Sequence, residues 1–391
     1  MEILITNVWL NSFAGSELVT LELYDHFSNQ GHNVEIFTNT VSREIEEYLA
    51  LSGTHYSTPS SFVPKKEYDL VWIQHQNIPN NFFEENPLVG KCIFHHMSPI
   101  EPLEFTLNAD FENIVSDQIL TNSLETAEKL NSLGIDMSKV QTFGNPAPQG
   151  FFEFPDQKKS NSYFLFISNH PPDVLLEAMD MLSEMGKPFI HLGMGSNWAE
   201  SRRVVPSDLA GASAVISIGK TIQYCIAMQK TFFIYDYFGG DGFVSSVRNF
   251  QDNVHFNFSG RNSKKKKTSK EILLELLDFE ANNPYELKYV TQVDRDSYHL
   301  PTKINEIFEE FDFSEKTSFL RNVEPKDLGV FQGALTSLRR SIIGEGNLSK
   351  GYRSAVAERD SAVAERDSIA NSTIWKLFGP YRKVIRFIRI I

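Results

Sequence analysis

The stretch Ala212–Gly242, ASAVISIGKTIQYCIAMQKTFFIYDYFGGDG, limits what this chain can fold into more than any other. Ala214–Ile218 is a short apolar, β-branched run, the composition of a buried parallel strand. Gly219 interrupts it. Lys220 and Thr221 then open a predicted helix whose apolar positions Ile222, Cys225 and Ile226 fall at i, i+3 and i+4. A second apolar run, Thr231–Tyr235, leads to Asp236 and to Gly239-Gly240-Asp241-Gly242, which reads as a glycine-rich turn. Such units build open α/β sheets, which bind ligands at the carboxyl ends of their strands. Free N–H groups at the helix start suit a phosphate, and Lys220 adds positive charge there. The segment therefore reads as half of a nucleotide-diphosphate site. Along the helix, where a carboxylate able to grip a ribose is expected, the chain has the neutral Gln223.

The same alternation runs through the chain. Strands are predicted at Ile3–Val8, Asn33–Thr38, Leu70–Gln74, Cys92–His95, Gln118–Leu120 and Val140–Phe143. The helix after the first of them stops at Gly31, and Ser123 caps the helix that runs to Leu133. After a polar stretch, Phe151–Ser162, the pattern restarts with Tyr163–Ser168, the helix Asp173–Met185 and Phe189–Gly193. The expected architecture is two Rossmann-like, doubly wound α/β domains, 1–150 and 160–312. The second ends in a crossing helix, Thr302–Phe311. A polar connector, 313–349, follows.

Two further segments complete the chain. Ser354–Asp360 is repeated without error at Ser361–Asp367. Over 350–372 this heptad period fits either a helix that pairs chains into a homo-oligomer or a solvated spacer. In 373–391, Tyr381, Val384, Ile385, Ile388 and Ile391 share one helical face after Pro380, with Arg382, Lys383, Arg386 and Arg389 away from it and Lys376 adding a fifth basic residue just before. That pattern predicts a helix lying on an anionic membrane surface; a partner protein is the alternative. These five basic residues leave the rest of a chain of net charge −13 at −18, which argues against a nucleic-acid partner. Two cysteines, both in apolar runs, predict no disulfide framework and a reducing compartment. No run approaches the ~20 apolar residues of a spanning helix.

The opening block, with Gly15-Ser16-Glu17 and Gly31-His32-Asn33-Val34, resembles that of GT-B glycosyltransferases of family 4. The block Leu120–Leu130 and the exit Gly144-Asn145-Pro146 resemble the end of that family's first domain. Gly219-Lys220-Thr221 and Tyr235-Asp236 resemble its donor helix and the loop after it. The repeat and the step Ser372-Thr-Ile-Trp375 are similar to tails of some bacterial surface-polysaccharide enzymes. The resemblance covers roughly residues 1–310. It departs from the family at Gln223-Tyr224, where acids are usual. It departs again at Ile167–Pro172, where an Arg and a Lys that grip the diphosphate are usual.

The resemblance implies transfer of a sugar from a nucleotide-diphosphate sugar to a glycan or lipid-linked glycan at the cytoplasmic membrane face, with no cofactor or metal required. Donor contacts are expected from Gly15, Ser16, Asn169, His170, Gly219, Lys220, Thr221, Gln223, Asp236, Gly240 and Arg261. His75 and His96 follow strands at the cleft edge, and with Glu17 they are the candidate catalytic groups. Glu104 is the acceptor-side candidate. Each has a plainer reading: turn geometry for the glycines and Asp236, dipole matching for Glu17, structural hydrogen bonding for the histidines. The competing functional readings are a non-catalytic glycosyltransferase-like scaffold and a GT-B sugar-nucleotide epimerase.

Overall fold

The computed structural model describes residues 1–154, 163–282 and 289–344. The heptad repeat and the basic tail lie outside the described residues. Contacts divide the chain into a unit of residues 1–331 and a unit of residues 332–391. The described part of the latter is the continuation of the helix Pro325–Gly344.

The larger unit holds two sheets. The first is built from β1 (Glu2–Leu10), β2 (Asn33–Val41), β3 (Tyr56–Ser57), β4 (Glu67–Gln74), β5 (Leu88–His96), β6 (Gln118–Thr121) and β7 (Val140–Thr142), in the order β3-β2-β1-β4-β5-β6-β7. Each of these neighbouring pairs is parallel. β1 lies between β2 and β4 with both faces covered, which is why EILITNVWL carries a near-continuous apolar run rather than an alternating one. The second sheet contains β8 (Tyr163–Ser168), β9 (Phe189–Gly193), β10 (Ala199–Glu200), β11 (Ala212–Ser217), β12 (Phe232–Asp236) and β13 (Gly239–Phe243), in the order β10-β9-β8-β11-β12-β13. Only its β12–β13 pair is antiparallel. This is the GT-B arrangement of two Rossmann-like α/β halves.

Local sequence explains several helix ends. Helix Gly15–Asn29 stops where Gly31 adopts φ 80°, its N–H donating to the Ser28 carbonyl. Ser123 caps helix Leu124–Ser132 by accepting from the Thr126 N–H. The crossing helix, Leu300–Glu309, buries Leu300, Ile304 and Ile307 in the same core as Ile5, Phe27 and Trp72. Each such residue contributes ~1.5–3 kcal/mol of apolar burial.

Two local expectations are corrected. Gly239–Gly242 is not a turn: it belongs to β13, which folds back on β12 as a hairpin. Residues 314–331, which read as a polar connector, pack on the first half. β14 (Thr317–Ser318) pairs antiparallel with the start of β5. Phe319 stands edge-on to Phe82 at 4.8 Å, and Phe331 stacks on Phe111 at 4.1 Å. Isolated aromatic residues in a polar stretch give no period from which such packing could be read.

Candidate functional site

Loops and helix starts at the carboxyl edges of the two sheets meet. Lys220, the first residue of helix Lys220–Ala227, donates to the carbonyl of Asn145, just beyond β7, at 3.2 Å and to that of Pro146. Its ammonium also pairs with Glu22 of helix Gly15–Asn29 at 2.6 Å, with both side chains almost fully buried. Tyr224 donates its hydroxyl to the same carboxylate, and its ring stacks on Phe151 at 4.1 Å. A second tie joins Arg261 to Glu125, in the first turn of helix Leu124–Ser132, at 2.6 Å through two guanidinium nitrogens. A third joins Arg203 to Asp25 at 2.7 Å and to the Tyr48 hydroxyl.

These ties engage two cations that were expected to face a phosphate. The Lys220 ammonium is paired with Glu22 and donates to the carbonyls of Asn145 and Pro146, so in this structure its charge ties the halves together. The Arg261 fork, well shaped for phosphate, is filled by Glu125. Gln223 is also turned inward: it is buried and donates to the Asn257 side chain at 2.8 Å. The Gly219 N–H donates to the Phe258 carbonyl, and Thr221 is buried. Gly240 has a packing reason, since a Cβ there would lie 2.0 Å from the Ile234 carbonyl oxygen. Asp241 accepts from the side-chain amides of Asn249, Asn253 and Asn262.

Other donor-side candidates differ in exposure. Asn169 is half-buried and His170 exposed, directly beyond β8. Gly15 is exposed, and a Cβ on it would meet nothing within 4 Å, so the space above that helix start is open. Ser16 lies beside it and donates to Glu17 at 2.8 Å. Asp236, at the end of β12, accepts from the Ser168 hydroxyl at 3.0 Å and from the Tyr237 N–H at 2.8 Å. Burial nevertheless pushes its carboxyl up to about 7.

The first sheet gathers a denser titratable cluster. His75 Nε2 pairs with Glu104 at 2.9 Å, and the other oxygen of Glu104 accepts from the Met97 N–H at 2.9 Å. Glu17 lies close enough to His75 for the two charges to act on each other. His96 Nε2 contacts Glu112 at 2.7 Å, while its Nδ1 faces the Glu104 carbonyl. Burial opposes charge on both histidines, but the facing carboxylates outweigh it and hold both above the ordinary histidine range. Burial raises Glu17 against the hydroxyl donors Ser16 and Ser12. His95, between them in sequence, is pushed down to about 3 by burial and by neighbouring cations, so it is neutral. His75 and Gln76 each adopt φ 53°, two consecutive left-handed non-glycine residues. Such conformations cost on the order of 1–3 kcal/mol each and concentrate at functional sites.

Thus His75, His96, Glu17 and Glu104 fall within one buried network, and Glu112 and Gln76 join it unforeseen. Glu112 is a fully buried acid in the short helix Ala109–Val115. Its histidine partner belongs to a different element, so no spacing rule could have found it.

No protein-family model matches the sequence, and no curated protein does. Solved structures do. HepE from Anabaena in complex with UDP-glucose is 11% identical, with 79% of this chain and 98% of that one aligned at a TM-score of 0.50. A glycosyltransferase from Rickettsia africae is 12% identical over 82% of this chain and 99% of its own, TM-score 0.46. MurG of Acinetobacter baumannii is 11% identical over 80% and 100%, TM-score 0.43. At these identities the HepE likeness bears on the fold alone, and it agrees with the GT-B architecture.

Proposed function

We propose that this chain is a glycosyltransferase that moves a sugar from a nucleotide-diphosphate sugar to a glycan or lipid-linked glycan acceptor. The observation that carries the reading is the buried His75–Glu104 and His96–Glu112 network at the carboxyl edge of one sheet, where GT-B halves confront each other. A histidine coupled to a carboxylate can take the proton of an attacking acceptor hydroxyl, and His75 is the candidate base: Glu104 holds its Nε2, and its Nδ1 would exchange the Val8 N–H, 3.4 Å away, for the acceptor. Glu17, whose carboxyl burial pushes above its ordinary value, lies beside His75 and is the second candidate for proton exchange in the network. On the donor side, Asn169, His170 and Asp236, at the ends of β8 and β12, are the groups assigned to sugar and ribose hydroxyls, with Gly15 and Ser16 toward the diphosphate. The HepE structure holds UDP-glucose, which supports testing uridine nucleotides first.

Among the described residues no helix is long and apolar enough to cross a membrane. The proposed place of work, the cytoplasmic membrane face, rests on the basic amphipathic pattern of 373–391, and pairing of chains rests on the heptad repeat. Family 4 kinship rests on the sequence motifs. A second reading, a non-catalytic scaffold, is favoured by one observation: Lys220 and Arg261 are both engaged by carboxylates.

A thermal-shift panel of UDP, GDP, dTDP, ADP and CMP, each with its sugars, tests the proposal. Ligand at 100 times its dissociation constant stabilises by ~2.7 kcal/mol. A shift lost in Asp236→Asn together with Asn169→Ala is expected. If no nucleotide moves the melting point, the transferase reading fails and the scaffold stands.

A further inference from the structure

An open cavity of about 450 Å³ lies at the free edge of the second sheet, beside β10 and the amino-terminal end of β9. It shares no lining residue with the cleft groups above. That volume is within the usual range of small-molecule sites. Trp198 lines it with 43% of its surface exposed, a large share for so apolar a ring. The indole is not loose: Phe189 braces it edge-on, with centroids 5.4 Å apart and planes at 82°.

The polar groups around the ring are few and electrically balanced. Lys187 is paired with Glu280 at 2.5 Å, and one oxygen of Glu200 is paired with Arg202 at 3.0 Å. The second Glu200 oxygen, the Trp198 Nε1–H and the Ser183 hydroxyl have no partner among the described residues. An anion finds no free cation here. A flat apolar face ringed by one acceptor, one donor and one hydroxyl instead matches an uncharged pyranose. The axial C–H bonds of a pyranose lie on the negative ring face, and its equatorial hydroxyls reach outward to polar groups.

We propose that this cavity is a glycan-binding subsite, in which Trp198 holds one or two uncharged pyranose units of the acceptor chain away from the point of transfer. The inference rests on the glycan-transfer reading above. The full chain is titrated by calorimetry, and by saturation-transfer NMR, with neutral tetrasaccharides of glucose, galactose and N-acetylglucosamine in α and β linkage. At least one should bind. Trp198→Ala should weaken it by about tenfold or more, and Trp198→Tyr, which keeps an aromatic face, should retain most of it. The nucleotide thermal shift should be unchanged in Trp198→Ala, which also shows that the variant folds. Absence of binding by every tetrasaccharide, or equal binding by Trp198→Ala, overturns the subsite. A chain that responds to nucleotide but to no tetrasaccharide loses this subsite and keeps the transferase reading. One that binds tetrasaccharide through Trp198 but no nucleotide keeps the subsite and loses the transferase.

Discussion

Glu22→Gln removes one charge from the Lys220–Glu22 pair while preserving side-chain volume. In the native chain the two side chains are 3% and 4% exposed, at 2.6 Å. The glutamine oxygen can still accept from Tyr224, so the change isolates the ion pair. Lys220 keeps the carbonyls of Asn145 and Pro146 but loses its compensating charge. Breaking a buried pair from one side costs ~3–5 kcal/mol, because an unpaired charge stays in a low-dielectric interior. Replacing both partners, Glu22→Gln with Lys220→Met, should recover most of the loss.

The assay is urea unfolding of the full chain followed by tryptophan fluorescence, for which Trp72 in the first core is a buried reporter. Midpoints are compared at constant slope, since a chain with two α/β halves can unfold in steps. The pH dependence adds an independent check. Burial already holds Lys220 below its ordinary value, and the variant removes the Glu22 charge that opposes this. The unfolded state then binds more protons than the folded one. Stability of Glu22→Gln should therefore rise with pH from the depressed folded value up to the unfolded lysine value near ~10.4. A single-variant loss under ~0.5 kcal/mol, or a double variant no better than the single, would refute the interdomain lock.

Other expectations concern the cleft. The Asp236 carboxyl sits at about 7, above its unfolded value, so its contribution is full at low pH and is lost as pH rises through about 7. Asp236→Asn should flatten that part of a stability–pH curve, and an unchanged slope would remove the burial argument. In ¹⁵N NMR, His75 and His96 should titrate above the ordinary histidine range while His95 stays neutral to about 3; Glu112→Gln should lower only His96 substantially. Gly240→Ala should destabilise by ~2 kcal/mol or more in denaturant titrations, since the added methyl collides with the Ile234 carbonyl; a neutral effect would mean that β13 can shift away. Glu125→Gln frees the Arg261 fork, so calorimetry should show tighter UDP binding; unaltered affinity takes Arg261 out of the donor site.

Much of the framework was legible residue by residue. Ile3–Val8 and Tyr163–Ser168 read as strands because buried parallel strands carry apolar runs on both faces. Ser123 and Gly31 marked helix ends because capping and left-handed backbone are local chemistry. Gly239–Gly242 misled because glycines that signal a turn also let two strands lie unusually close, and only the position of the Ile234 carbonyl distinguishes the cases.

What the sequence determined by itself was therefore the alternation of elements, their ends, and the set of polar residues placed at strand termini. The tertiary structure decided which of those residues remain available. Lys220 was recognisable as a cation at a helix start; that its charge meets Glu22, 198 residues away in the chain, depends on how the two halves pack. The same holds for Arg261 with Glu125 and for His96 with Glu112. Local patterns fix backbone shape because their interactions reach only a few residues. The partners of a buried charge are set by packing between distant elements, where a low dielectric makes each pairing consequential.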